Sequence, residues 1–238
     1  MSRAASLVSH DHADPFALVE PPGFELNDPA ISALVPEVTG YRLLQRIWTR
    51  LGWPSLAGKR LLDYGCGVRF ARTVHNLALP IGHYTGVDLN PEVVDWLRAH
   101  LGDDPRFTFA HVDARNAHYN PGGRELGPET LAALGIRDQD AVCMHSVITH
   151  QNPREAAVTF RLLRPAVVDG GRLHFTARAE DLSVEGYAEG APDDPGHLSN
   201  YHPDVLLELV EGAGWRVDAI FPRDPGGLGQ TTFVATAV

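Results

Sequence analysis

Apolar positions recur in two rhythms along the chain. From Glu37 to Leu51, the residues Tyr41, Leu44, Ile47, Trp48 and Leu51 fall three and four apart, which predicts a helix with one apolar face. Gly52, Pro54 and Gly58 end it. After Gly58, short β-favouring runs alternate with helix-like segments. The runs are Arg60–Tyr64, His83–Leu89, Phe107–Asp113, Ala141–Val147 and Arg172–Thr176. Asn90-Pro91 can cap a helix on which Val94, Leu97 and Leu101 share a face. Asn152-Pro153 repeats the device ahead of Ala156, Phe160 and Leu163, with Gly170-Gly171 beyond the end. His202-Pro203 opens a third helix, carrying Leu206, Leu209 and Val210 and closing at Gly212 and Gly214.

Strands apolar on both faces, alternating with helices, predict a mostly parallel sheet covered on both sides. The last two runs, Trp215–Phe221 and Thr231–Ala235, are joined only by the Pro/Gly-rich loop Pro222–Gly229. A link without a helix is too plain for a parallel crossover, so these runs predict an antiparallel pair. The expected fold is α/β. It is a doubly wound, mostly parallel seven-stranded sheet, with five parallel strands and a C-terminal antiparallel hairpin. One domain, residues 37–238, is expected behind an N-terminal arm, residues 1–36, rich in Pro, Asp and His and without apolar periodicity. Two segments stand outside the core pattern. Residues 114–138 surround a short helical piece at Glu129–Leu134, and residues 179–200 are acidic and contain Gly and Pro. Both emerge at the carboxyl edge of the strands, where ligands of open α/β sheets bind.

Composition narrows the function classes. The 238 residues include 20 basic and 30 acidic side chains, a formal net charge of −10. That balance disfavours nucleic acid and anionic membrane as partners. No apolar run reaches the ~20 residues that span a bilayer, and the stretch through Pro22 has no secretory h-region. The two cysteines, Cys66 and Cys143, sit in strand-like contexts, which points to a reducing, cytoplasmic setting.

The chemistry concentrates at strand ends. Asp63-Tyr-Gly-Cys-Gly67 lies where the first strand turns into a helix, and glycines there let a ligand approach backbone N–H groups. Asp88 follows Asp63 by 25 residues and Asp113 follows Asp88 by another 25, each at the carboxyl end of a predicted strand. An acid after the second strand is placed to accept hydrogen bonds from two ribose hydroxyls, and one after the third to reach an adenine amine.

Leu61-Leu-Asp-Tyr-Gly-Cys-Gly67, Tyr84-Thr-Gly-Val-Asp-Leu-Asn-Pro91 and Val112-Asp113 resemble the motifs of the class I S-adenosylmethionine-dependent methyltransferases, whose fold is Rossmann-like. Ser146-Val-Ile-Thr-His150, Leu162-Leu-Arg-Pro165 and Asp169-Gly-Gly-Arg172 resemble the family's downstream signatures, so the resemblance covers residues 37–238. It implies S-adenosylmethionine as cofactor and methyl transfer to a small-molecule acceptor, at oxygen or nitrogen. By position, Asp63, Gly65 and Gly67 would line the methionine end. Asp88 would hold the ribose and Leu89 would pack on the adenine. Asp113 would meet the adenine amine and Ala114 its ring. Met144 and His145 would flank the sulfonium. The family's further glycine two residues after Gly67 is replaced, since Val68-Arg69 stand there. Arg69 either contacts the cofactor carboxylate or is a solvated first-turn residue. The departure keeps a silent, binding-only protein in view.

A nicotinamide dehydrogenase is the rival enzyme, but its fingerprint needs a small third residue where this chain has Phe70. Twelve histidines are present, so most are bystanders. His145 and His150, after the fourth strand, are the candidate bases for an acceptor that must lose a proton, with a structural role as the alternative for each. His202 is a more distant candidate. No Cys/His spacing suits a metal. Helix 37–51 carries Tyr41 and Arg42 at its start, where it either closes over the site or packs on the core.

Overall fold

The computed structural model describes residues 19, 36–179, 185–190, 198–223 and 229–238. The expected arm lies almost wholly outside the described residues, as does much of the acidic insertion. The first helix, α1 (Pro36–Arg50), buries Gly40, Leu44 and Ile47. Its apolar stripe is therefore core packing. A Cβ at Gly40 would overlap Thr73 Oγ1, so the glycine lets α1 cross closely over α2 (Arg69–Asn76). The crossing is fixed by charge. The Arg72 guanidinium, 2 % exposed, donates to Glu37 at 2.8 Å, and Asn76 donates to the same carboxylate at 2.9 Å. Asn76 and Arg72 also clasp the backbone of Val19, the first residue described.

The expected alternation follows as β1 (Arg60–Tyr64), β2 (His83–Asp88), α3 (Pro91–Leu101), β3 (Phe107–His111), α4 (Thr130–Ala133), β4 (Gln139–Met144), α5 (Pro153–Leu163) and β5 (Val167–Ala177). Asn90 caps α3, and Asn152 with Glu155 forms a capping box on α5. From insertion 179–200 and the residue after it comes a ribbon of β6 (Tyr187–Ala188) and β7 (Asn200–Tyr201). The chain closes with α6 (Pro203–Glu211), β8 (Trp215–Phe221) and β9 (Thr231–Ala237). His202, a distant base candidate in the sequence, caps α6 by accepting from the Asp204 N–H.

The sheet order is β3-β2-β1-β4-β5-β9-β8. Strands β1 to β5 are parallel, and the terminal pair is antiparallel, with β9 inserted between β5 and β8. The order therefore reverses beside β1, between β2 and β4, which opens a crevice at the carboxyl ends of those strands. β5 begins earlier than expected, because Gly170 and Gly171 are drawn into the strand.

The parallel register sets rows across the sheet. Gly86, Asp63, Cys143, His174 and Val234 are successive partners in one row. Cys143 and Val234 belong to the apolar cluster that α1, α2 and α3 cover. Leu62, Val142, Leu173 and Phe233 face the other layer, under α5 and α6. Among the described residues, no helix is long and apolar enough to cross a membrane.

Candidate functional site

The crevice beside β1 holds a cavity of about 310 Å³. Its β1–β2 side is made by Tyr64, Gly65, Val87, Asp88 and Leu89. Gly65 has φ +71°, and a Cβ there would meet Val147 Cγ2 at 2.5 Å, so the position demands glycine twice over. Asp88 ends β2 and is held by the turn it faces. Gly67 N–H donates to Oδ2 at 2.9 Å and Asn90 N–H to Oδ1 at 2.9 Å. Burial pushes the Asp88 carboxyl up, against these backbone donors.

The β4 side of the cavity begins at His145 and Ser146. Ser146 has φ +61°, a left-handed conformation that a non-glycine adopts at a cost. Its N–H donates to Thr176 Oγ1 at 2.9 Å and its hydroxyl meets the Gln230 side chain, so β5 and the segment before β9 hold the turn. The His145 ring packs against Phe70 at 5.9 Å between centroids, and its Nε2 is buried without a hydrogen-bond partner among the described residues. Burial, then the charges of Arg69 and Arg46, push this imidazole down to about 4, so it is neutral at physiological pH.

Insertion 114–138 forms the outer wall. Asn116, 3 % exposed, donates to His150 O at 2.8 Å and accepts from the His118 and Tyr119 N–H groups. Tyr119 Oη lies 3.4 Å from His150 Nδ1. The insertion also reaches α5, where Ala117 N–H donates to Glu155 Oε1 at 2.7 Å. On the other side, Ser199 N–H donates to Thr149 O and the Tyr201 hydroxyl to Gln151 O.

Gly65, Asp88, Leu89, Ala114, His145 and His150 thus come together around one cavity. The remaining sequence candidates stand apart from its lining. Asp63 lies on the α1–α2 face of the sheet, 1 % exposed, and accepts from the Tyr84 hydroxyl and the Cys143 thiol. Met144 is fully buried in the opposite layer. Arg69 is the first residue of α2, and Gly67 lies two residues before it. Asp113 follows β3 by two residues and is turned outward to Asn120 and Arg124, at 3.0 and 3.2 Å. The Asn120 amide, with Arg124 beside it, holds that carboxyl below its ordinary value.

The sequence reading missed Asn116, Tyr119, Ser146 and Thr176. Of these, Ser146 had entered only as the first residue of the Ser146–His150 signature. Among the described residues, no group of three or more His, Cys, Asp or Glu is placed to hold a metal ion.

No family model matches the chain, and no curated protein matches it. Solved structures do. The glycopeptide N-methyltransferase MtfA, complexed with sinefungin, superposes with a TM-score of 0.60 at 14% identity, over 84% of this chain and 94% of that one. DesVI of Streptomyces venezuelae gives 0.55 at 16% identity, over 85% and 92%. The magnesium protoporphyrin IX methyltransferase ChlM of Synechocystis PCC 6803, with SAM bound, gives 0.53 at 14% identity, over 85% and 79%. At such identities the likeness is one of fold, and the chain has the fold of the class I SAM-dependent methyltransferases.

Proposed function

We propose that the cavity binds S-adenosylmethionine and that the protein passes the methyl group to a small-molecule acceptor, at oxygen or nitrogen. The observation that carries this reading is continuity. One cavity runs from Asp88 and Leu89, past Gly65, to His145 and Ser146. Its lining suits a nucleoside joined to an amino-acid chain. Asp88 offers a carboxylate to two ribose hydroxyls, Leu89 and Ala114 offer apolar flanks to a purine ring, and Gly65 lets backbone approach the far end.

When bound, the cofactor supplies a methyl group on a sulfonium whose leaving group is already activated. The chain's own work is to position the acceptor and exclude water. Val147, Val158 and Leu162 give the cavity apolar walls beside the β4 end. The His145 imidazole is uncharged near neutral pH and is the group assigned to take an acceptor proton. His150 shares its ring with Tyr119 and its carbonyl with Asn116, so we assign it to the cavity wall. For Asp113 to reach an adenine amine, it must exchange Asn120 or Arg124 for the ligand.

Calorimetry with S-adenosylhomocysteine tests the cofactor. One site of micromolar affinity is expected. A well-folded protein that shows no heat at high micromolar ligand overturns the reading.

A further inference from the structure

Among the described residues, six side chains carry a buried nitrogen or oxygen without a hydrogen-bond partner. Both ring nitrogens of His174, 2 % exposed, are in this condition. Two of the six, His145 and Gln151, line the cavity. His145 is the proposed base. Gln151 is 8 % exposed, and its unpaired atom is the amide oxygen, Oε1. Buried polar atoms are almost always paired, so an unpaired acceptor at a ligand cavity calls for a donor on the ligand.

The residue is held from several sides. Gln151 Nε2 donates to Thr159 Oγ1 at 3.0 Å, and the same threonine bonds the Tyr64 hydroxyl. The Gln151 carbonyl accepts from the Tyr201 hydroxyl at 2.6 Å, and its N–H donates to Ile148 O at 3.2 Å. Tyr64 and Thr159 also line the cavity, so Gln151 meets it where β1 and α5 come together. A further tether comes from the β3 side. The carbonyl just before Gln151, His150 O, accepts from Asn116, two residues after Ala114. Gln151 is thereby joined to the segment that leaves β3, where Ala114 offers its flank to a purine.

S-adenosylmethionine presents three kinds of N–H or O–H donor: the ribose hydroxyls, the ammonium and the adenine amine. Asp88 faces the first and the Gly65 turn the second. The acid expected to accept the amine, Asp113, does not line the cavity, and its two oxygens are taken by Asn120 and Arg124. We propose that Gln151 Oε1, in place of Asp113, accepts the exocyclic amine of the adenine and makes the cavity select adenine among purines. This rests on the S-adenosylmethionine reading above. The amine of adenine donates where a 6-oxopurine accepts, so an amide oxygen fixed through Thr159 favours the one and repels the other.

The test uses the full chain and two ligands, S-adenosylhomocysteine and its 6-deamino analogue, in which hydrogen replaces the amine. A site built to hydrogen-bond a ligand group rejects the analogue that lacks it, because the protein atom is left buried and unpaired. Calorimetry with the natural chain should show S-adenosylhomocysteine bound about tenfold more tightly than the analogue. In Gln151→Leu the preference should largely vanish, because S-adenosylhomocysteine weakens while the analogue holds its affinity. Gln151→Met, unbranched and of similar length, takes its place where the leucine variant does not fold. In Asp113→Ala the preference should persist. A purely structural role for Gln151 would weaken both ligands alike and leave their ratio as it was. An unchanged ratio in the Gln151 variant, a ratio lost in Asp113→Ala, or equal affinities in the natural chain overturns the proposal. If S-adenosylhomocysteine does not bind the natural chain at all, the cofactor reading falls and this inference with it. Binding without a preference for the amine removes this inference alone.

Discussion

The Tyr84 hydroxyl donates to Asp63 Oδ2 at 2.5 Å, beneath α1 and α2, and the Cys143 thiol donates to the other oxygen of the same carboxylate at 3.4 Å. Burial raises the Asp63 pKa from 3.8 to about 7, more than these two donors lower it. The folded protein therefore holds a proton that the unfolded chain releases between about pH 4 and pH 7. Stability contributed by this group falls as pH rises through that window. Above it, ionised Asp63 costs the fold about 4 kcal/mol. Asp63→Asn removes that cost while leaving an acceptor for Tyr84. The variant should gain stability over the natural chain at pH 8 and gain little at pH 5, read by thermal denaturation at both. A loss of equal size at the two pH values would show that the charge is not buried as described.

His174 supplies the opposite slope. Burial, with His145 and Arg50 nearby, pushes its imidazole down to about 3. The unfolded chain takes up a proton below about pH 6.5 that the folded chain refuses until about pH 3, so stability is lost as pH falls through that interval. An unpaired buried polar group also costs about 1–3 kcal/mol at any pH. His174→Leu should therefore raise Tm at neutral pH and flatten the acid limb of the stability curve. If the limb is unchanged, another group sets the acid sensitivity.

The strands and helices were legible because both layers of the sheet are paid for in apolar residues, and because Asn90, Asn152 and His202 stand directly before prolines. The row of 25-residue spacings was legible too, but its meaning was not. Strand pleating sends neighbouring side chains to opposite faces. Asp63 thus points under α1, while Tyr64 and Gly65 reach the cavity. A count along the chain places an acid near a strand end and leaves its face open. The outer wall was hidden for another reason. Asn116 works through backbone partners that no periodicity reveals. Ser146 is fixed by Thr176 and Gln230, 30 and 84 residues away in sequence.

Of the three strand-end acids Asp63, Asp88 and Asp113, Asp88 is the one that lines the cavity. If it holds the ribose, Asp88→Ala should weaken S-adenosylhomocysteine by about tenfold or more, since a charge-assisted pair contributes about 1.5–3 kcal/mol. The same carboxylate accepts from Gly67 and Asn90 N–H groups, so truncation also loosens the turn. Asp88→Asn separates the two effects, because its amide oxygen still accepts from one of those donors. It should retain most of the stability and lose most of the binding. Calorimetry and melting of both variants give the comparison, and an unchanged affinity in Asp88→Ala would remove the ribose assignment.

For His145, neutrality down to about pH 4 makes a specific kinetic forecast. A base with that pKa is fully competent at pH 6, where an ordinary histidine is mostly protonated. With an acceptor in hand, methylation should show no acid limb near pH 6.5. His145→Ala should lower turnover by about 10²-fold or more while leaving S-adenosylhomocysteine affinity in place. A limb at pH 6.5 in the natural enzyme that vanishes in the variant would mean that the ring is solvated during turnover.

Asn116 bears on whether the outer wall belongs to the site. Its amide joins three backbone groups, His150 O and the N–H groups of His118 and Tyr119, and all three lose their partner in Asn116→Ala. Leaving buried donors and acceptors unmet costs about 1–3 kcal/mol. The loss falls on one segment, because β1, β2 and β4 are braced by their own ladders. Amides 115–120 should therefore exchange hydrogen faster while those of β1 and β4 keep their protection. The cavity loses its outer boundary at Tyr119 and Arg115, so S-adenosylhomocysteine should bind several-fold more weakly, with faster release. Exchange that quickens uniformly through the sheet would mean that Asn116 supports the fold as a whole. Faster local exchange with unchanged affinity would separate the wall from the cofactor site and leave it to the acceptor.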